Sequence, residues 1–208
     1  MQRAVARRGA ADDRAAPSSP ASGALRAPVE AEITVRIART LPDRRAAAEL
    51  IRSRYASRGF LVSGLPTAPT SELTLLASQA RAAVGTLTLR LDGPDGLRAE
   101  ETYADQIDAA RIAGRRLCEL GRFAVAEHAP SGPVLSALFA HAHAAVQSAA
   151  GITDVFIEVN PRHVGFYRRL FGFAVAGGER VCARVRAPSV LLRLEMAGFE
   201  ARLAQACA

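Results

Sequence analysis

The stretch IEVNPRHVGFYRRLFGF, residues 157–173, decides how this chain is read. Val155, Ile157 and Val159 alternate with Phe156, Glu158 and Asn160, the period-two pattern of a strand with two distinct faces. From Arg162 to Phe171 the pattern becomes helical, and Gly172 is the expected stop. Two further strands follow, around 173–186 and 189–196, parted by Ala187-Pro188.

Reading back toward the N-terminus, Pro133 opens a helix whose apolar stripe is Val134, Leu135, Leu138, Ala142, Ala145 and Val146, running up to Gly151. Before it, LCELGRFAV at 117–125 reads as a central strand, and it carries two charges, Glu119 and Arg122. The polar segment Glu100 to Arg116 has Tyr103, Ile107 and Ile112 as its few anchors and reads as a short helix or a long loop. LTLLA and AVGTLTLRL, between residues 73 and 91, form an antiparallel pair ahead of the turn-forming DGPDG at 92–96. Ile33, Val35 and Ile37 make a first strand. Leu41-Pro42-Asp43 then opens a helix with Ala47, Leu50, Ile51, Arg54 and Tyr55 at three-to-four spacing, ending near Gly59.

This order of elements predicts a mixed α/β sheet, not a helical bundle. A chain of 208 residues with 50% hydrophobic content accommodates one such domain, placed at 31–197. Residues 1–30 combine Arg, Ala, Pro and Ser without apolar periodicity and are expected to be a disordered tail, with 198–208 a C-terminal extension. An Arg-rich, Ser-containing start suggests a mitochondrial transit peptide, but Asp12 and Asp13 argue against one. Arg, Asp or Glu interrupts every apolar run, so no membrane span is expected, although peripheral contact is compatible with the charge. Cys118, Cys182 and Cys207 form neither a metal knuckle nor an even disulfide framework, which suits the cytoplasm.

Net charge is +7, and all 27 basic residues are Arg. Such a chain expects acidic company. Nucleic acid is not the expected partner, because aromatics make up only 5% and no binding motif is present. His141 and His143 lie two apart on one helix, hence on different sides, and no metal site is expected.

RRLCELGRFAV at 115–125 and EVNPRHVGFYRRLFGF at 158–173 resemble the bacterial long-chain N-acyl amino acid synthases of the GNAT superfamily, relatives of the acyl-homoserine-lactone synthases. The resemblance covers about residues 32–196. It implies a mostly antiparallel central sheet with a splayed strand pair and flanking helices, and acylation of an amine by a thioester. The two splayed strands would be Leu117–Val125 and Thr153–Val159, exposing backbone N–H groups of Phe123, Ala124 and Val125 to the thioester.

Amine acylation needs a proton acceptor, donors for the oxyanion and an exit for the thiolate. Glu119, an ionisable group on a central strand, is the preferred base; the alternative is a structural pair with Arg122. By analogy Tyr167 would protonate the sulfur, and Asn160 would bind pantetheine amides unless it caps the following helix. His163, in the NPRH turn, is a weaker candidate for titration. Leu135, Phe139 and Phe156 would line the acyl tunnel. Arg52, Arg54, Arg122 and Arg184 are candidates for the acceptor's carboxylate.

In coenzyme A-dependent relatives a basic residue and two glycines cradle the pyrophosphate ahead of a helix. Here that stretch is EHAPSGPVLSALF, with Gly132 alone and no Arg. The expected donor is therefore acyl carrier protein through its 4'-phosphopantetheine thioester, with acyl-CoA as the alternative and no tightly bound cofactor. A small amino acid is the expected acceptor; S-adenosylmethionine, as in a homoserine-lactone-type signal synthase, is the rival.

Overall fold

The computed structural model describes residues 32–60, 72–149 and 151–199. The tail assigned to 1–30, most of the extension at 198–208, and Cys207 lie outside the described residues.

Twelve elements are described. β1 (Thr34–Ile37) and α1 (Leu41–Ala56) are followed by the hairpin of β2 (Glu72–Gln79) and β3 (Ala82–Leu91). Then come α2 (Glu100–Ile112), β4 (Leu117–Val125), α3 (Ser131–Ser148) and β5 (Asp154–Val159). A 3-10 turn (Pro161–His163), α4 (Val164–Phe171), β6 (Ala174–Cys182) and β7 (Ala187–Glu195) close the described chain. Seven strands form one sheet in the order β1-β2-β3-β4-β5-β7-β6, and β4 with β5 is its parallel pair.

Strand alternation builds two cores. Leu75, Leu87, Leu120, Val155, Ile157 and Leu192 face α3 and the aromatic residues of α4. Gly85 permits the close approach of α3, since a Cβ there would come within 2.4 Å of Val134. On the opposite face Leu117, Phe156 and Leu191 pack against α2, while Leu76 packs against Ala47 of α1.

The charged segment after Glu100 is thus a helix, held by Tyr103, Ile107 and Ala110, all buried on one face. Ile112 falls off that face and is 88% exposed. Tyr103 donates its hydroxyl to the carbonyl of Ser189 at 2.6 Å, tying α2 to β7. Ala187 and Pro188, expected to part the last two strands, instead lie within β7, and residues 183–186 make the turn. Proline is tolerated there because pairing with β5 begins only at Val190, leaving position 188 with a neighbour on one side.

Asp154 starts β5 as a fully buried carboxylate. It accepts from Arg115 Nε at 2.5 Å, Arg193 Nε at 2.6 Å and Thr153 Oγ1 at 2.6 Å. Burial opposes ionisation, but these donors hold the carboxyl below its usual range.

The β2–β3 hairpin turns through Ala80 and Arg81 at φ 49° and 69°, a left-handed conformation that costs non-glycine residues about 1–2 kcal/mol each. Arg81→Gly should relieve that cost and raise the thermal midpoint by about 2–4 °C. Calorimetry of wild type and variant checks this; an unchanged or lower midpoint counts against strain at the turn.

Candidate active site

The site begins where the parallel pair ends. Leu117–Leu120 pairs with Asp154–Ile157; beyond those positions β4 continues along β3 to Val125 while β5 continues along β7 to Val159. The two strands diverge. A register irregularity opposite Thr86 and Thr88 assists, with Arg122 at φ 49° and its carbonyl accepting from Thr86 Oγ1 at 3.0 Å. Ala126 donates its N–H to Val84 on β3 at 2.9 Å. By strand alternation the N–H groups of Phe123 and Val125 turn the other way, into the gap.

A cavity of about 670 Å³ fills this gap. Its apolar wall includes Leu120, Phe123, Leu135, Ile157 and Val159, and its polar residues include Glu119, Glu158, Tyr55, Tyr167 and several arginines. A volume of this size, apolar with a few convergent polar groups, fits a small-molecule site.

Glu119 is 4% exposed. Its Oε2 accepts from the backbone N–H of Arg98 at 2.6 Å and of Ala99 at 3.2 Å, so the carboxylate sits at the start of α2. Burial pushes its pKa up to about 7, reinforced by Glu158 and opposed by those N–H groups and by Arg184. Oε1 lies on the side of Gly121, where a Cβ would stand 3.9 Å away. A carboxyl poised near neutrality is suited to take a proton at working pH.

The alternative pairing of Glu119 with Arg122 gives way to a different one. Arg122 reaches Glu72 at 3.2 Å, and Glu72 also accepts from Arg90 at 2.9 Å and from Arg98. Burial opposes ionisation of Glu72, yet the three arginines hold its carboxyl below the usual range.

Tyr167 lines the cavity among aromatic rings, 6.2 Å from Phe139 and 6.1 Å from Phe171 between centroids. Burial pushes its pKa up to about 12, so the phenol is a proton donor, not a base. Asn160 also lines the cavity, but its amide is engaged: Oδ1 accepts from the N–H of Arg162 at 3.2 Å, and Nδ2 donates to the carbonyl of Pro188 at 3.3 Å. It caps the turn that carries the chain into α4. His163 lines the cavity too, its pKa held down by burial and by Arg162.

Of the donor-side residues anticipated from sequence, Phe123, Ala124, Val125, Gly132 and Leu135 meet on the cavity wall. Phe139 stacks on Phe171 at 4.3 Å within the core, and Phe156 lies under α2 on the opposite face. Neither lines the cavity, whose wall on β5 is made by Ile157, Glu158 and Val159. Among the arginines, Arg54, Arg122 and Arg184 line it, and Arg52 is exposed on α1, away from it. Arg54 meets Glu127 at 3.2 Å, while Arg184 pairs with Glu158 and donates to the carbonyl of Arg98. Tyr55, Arg98 and Glu158 are cavity residues that sequence reading missed. An ionisable group in an otherwise apolar strand, the feature that singled out Glu119, also marks Glu158.

A splayed parallel pair in a mostly antiparallel sheet, with helices on both faces, defines the GNAT fold of N-acyltransferases. The family model of the N-acyl amino acid synthase FeeM matches residues 46–195, and the chain belongs to that family. The solved structure of FeeM, an N-acyl amino acid synthase from uncultured soil microbes, is 26% identical, covering 84% of this chain and 97% of that one, with a TM-score of 0.76. Escherichia coli ElaA (12% identical, 79% of this chain and 99% of that one, TM-score 0.60) shares the fold. So does an acyl-CoA N-acyltransferase from Pseudomonas aeruginosa (17% identical, 78% and 98%, TM-score 0.55). Comparison with curated proteins returns no match. The chain is an acyltransferase.

The electrostatics of Glu119 are directly measurable. In protein carrying carbon-13 glutamate, one carboxyl should titrate near pH 7 and disappear in Glu119→Gln. A folded Glu119→Gln protein that keeps the resonance, or a wild type in which every glutamate titrates below pH 5, would refute the assignment.

Proposed function

We propose that the chain transfers a long-chain fatty acyl group from the 4'-phosphopantetheine thioester of acyl carrier protein to the amine of an amino acid. The observation that supports this reading is Glu119, a buried carboxyl whose pKa burial pushes up to about 7, on the cavity where the strands part; strand alternation turns the N–H groups of Phe123 and Val125 toward the same gap.

The acceptor enters as an ammonium ion. Glu119 takes one proton, and the freed lone pair attacks the thioester carbonyl carbon, forming the C–N bond. Negative charge moves onto the carbonyl oxygen, which the two N–H groups receive. As the carbonyl re-forms, the C–S bond breaks with its electron pair on sulfur. The thiolate gains a proton from Tyr167, which regains one from the attacking nitrogen through solvent. The products are an amide, a thiol and the proton held by Glu119, which passes to water. Because a thiol of pKa about 8.5 already leaves readily, the tyrosine's share is modest. In the acceptor half, Arg54, Arg122 and Arg184, each already paired with a carboxylate of the chain, are among the cavity guanidiniums near which the acceptor's carboxylate would sit.

The donor assignment rests on α3. Its first turn offers the N–H groups of Ser131 and Gly132, but Pro133 has none, and no Arg occurs from 127 to 139. Coenzyme A, with a pyrophosphate to hold, finds little there, whereas a carrier's arm brings a single phosphate and an acidic protein surface. Arg168 and Arg169, exposed on α4, are the proposed docking residues. Carrier and amino acid meet in the bacterial cytoplasm; no described helix is long and apolar enough to cross a membrane.

Lipid extracts of bacteria expressing the chain should contain new N-acyl amino acids by mass spectrometry. Their absence, with turnover of S-adenosylmethionine instead, would mark a signal synthase. Glu119→Gln should abolish transfer while the fold, judged by circular dichroism, persists. Tyr167→Phe should lower turnover less than Glu119→Gln does. In wild type, kcat/KM should rise with pH through about 7, since the base must be ionised.

The carrier assignment has its own test, in which steady-state rates are measured with both donors across a salt series. Efficiency with acyl carrier protein should fall as the Debye length shrinks from about 10 Å at 0.1 M to about 3 Å at 1 M. Acyl-CoA should be the much poorer donor at every salt concentration. Equal efficiency with acyl-CoA, or no salt response, would leave a coenzyme A-dependent enzyme.

A further inference from the structure

Glu158 is the one acidic residue of the cavity wall, besides Glu119, that lies on the splayed strands. Its side chain is 6% exposed, hence nine-tenths buried. Oε2 is gripped by Arg184, which also donates to the carbonyl of Arg98 and meets Glu101 at 3.4 Å. Those contacts fix the carboxylate. Among the described residues no N–H or O–H group donates to Oε1 with hydrogen-bond geometry, and the neighbour the carboxylate does have, the buried Cys182 thiol, is a weak donor. A buried carboxylate oxygen without a strong donor is costly, and one on a cavity wall is placed to accept from a ligand's N–H.

Register places this oxygen relative to the proposed base. Glu119 pairs with Phe156 across the parallel ladder, and Glu158 follows two residues later on the same face of β5. Pairing ends at Leu120 and Ile157, so Glu119 stands just before the fork and Glu158 just beyond it. The two carboxyls feel one another, since Glu158 contributes to raising Glu119. A cation that touches both relieves that repulsion.

We propose that Glu158 is the ammonium-binding residue of the acceptor site, its Oε1 accepting one N–H of the incoming amine while Glu119 accepts another. The inference rests on the synthase reading and adds to it a selection rule: the acceptor is recognised by its positive charge before it is deprotonated. A molecule that matches the acceptor in shape but carries a hydroxyl in place of the ammonium lacks the charge to bridge the two carboxyls and is rejected.

The probes are the twenty L-amino acids and, for the fastest acceptor among them, its L-2-hydroxy acid as a competitive inhibitor. Wild type should prefer the amino acid over the hydroxy acid by at least about tenfold. In Glu158→Gln the acceptor KM should rise at least about tenfold, with kcat at saturating acceptor changed by less than about threefold and the donor KM unmoved. The preference over the hydroxy acid should shrink toward parity. Glu158→Asp keeps the charge for Arg184 but withdraws the oxygen, and should raise the acceptor KM in the same way. If Glu158→Gln does not fold, Glu158→Asp decides by the same readouts. An unchanged acceptor KM in a folded variant overturns the proposal, as does a parallel rise of donor and acceptor KM, the mark of a merely structural ion pair. Wild type that acylates none of the twenty amino acids sinks the synthase reading itself. Wild type that acylates one, with Glu158 variants indifferent to acceptor charge, sinks this inference alone.

Discussion

Four residue pairs hold β4 to β5, and the molecule's chemistry depends on the pairing ending there. A continuous parallel ladder would consume the N–H groups of Phe123 and Val125 and leave no space between the strands. Each strand is secured on its other side instead, β4 against β3 and β5 against β7, so divergence costs few hydrogen bonds. At the closed end, Asp154 binds Arg115 and Arg193, joining β5 to the segment before β4 and to β7. Closed end and open end are therefore built differently: one by a buried carboxylate gripped by two arginines, the other by Glu119 and Glu158, each held among the described residues at one oxygen.

Buried carboxylates do distinct work in this arginine-rich chain. Glu72 is surrounded by Arg90, Arg98 and Arg122, and Asp154 by Arg115 and Arg193; both are held ionised and are structural. Among the described residues Glu119 receives two backbone N–H groups at one oxygen, and desolvation outweighs them, so its pKa rises. Glu158 lies between these extremes, with one oxygen held by Arg184 and the other, among the described residues, without a strong donor. Breaking a buried pair by removing one partner is strongly destabilising, which makes the saturated pairs poor places for function and the half-satisfied groups good ones.

Much of this architecture is legible in the sequence because alternation and helical stripes report burial. Ile33 to Ile37, Leu87 to Leu91 and Val155 to Val159 all gave strands at their predicted places. α2 was harder, since its buried face has few apolar residues, Tyr103, Ile107 and Ala110, while its polar positions carry a charge-rich pattern that reads equally as loop. The cavity was legible only in part. Phe156 and Phe139 are apolar and near the site in sequence, but strand alternation and helix rotation turn them elsewhere; apolarity alone does not say into which space a side chain points. Glu72 was invisible as a partner of Arg122 because the two are fifty residues apart and meet only through β3, which lies between their strands.

Glu119 links the parts. By accepting the N–H groups of Arg98 and Ala99 it caps α2, whose Tyr103 is tied to β7, while Arg184 grips the carbonyl of Arg98 from beyond β6. This half of the cleft, the proposed acceptor side, is thus one hydrogen-bonded unit reaching from β4 through α2 to the turn before β7. The other half, with Phe123, Leu135 and Tyr167, is an apolar and aromatic unit carried by the end of β4, α3 and α4. The first unit is polar and directional, the kind of surface that would fix an amine in place under the proposed function. The second is apolar and adaptable, the kind that would take an acyl chain. On that proposal, selectivity for the acceptor and tolerance toward the acyl chain would follow from which side of one strand each substrate meets.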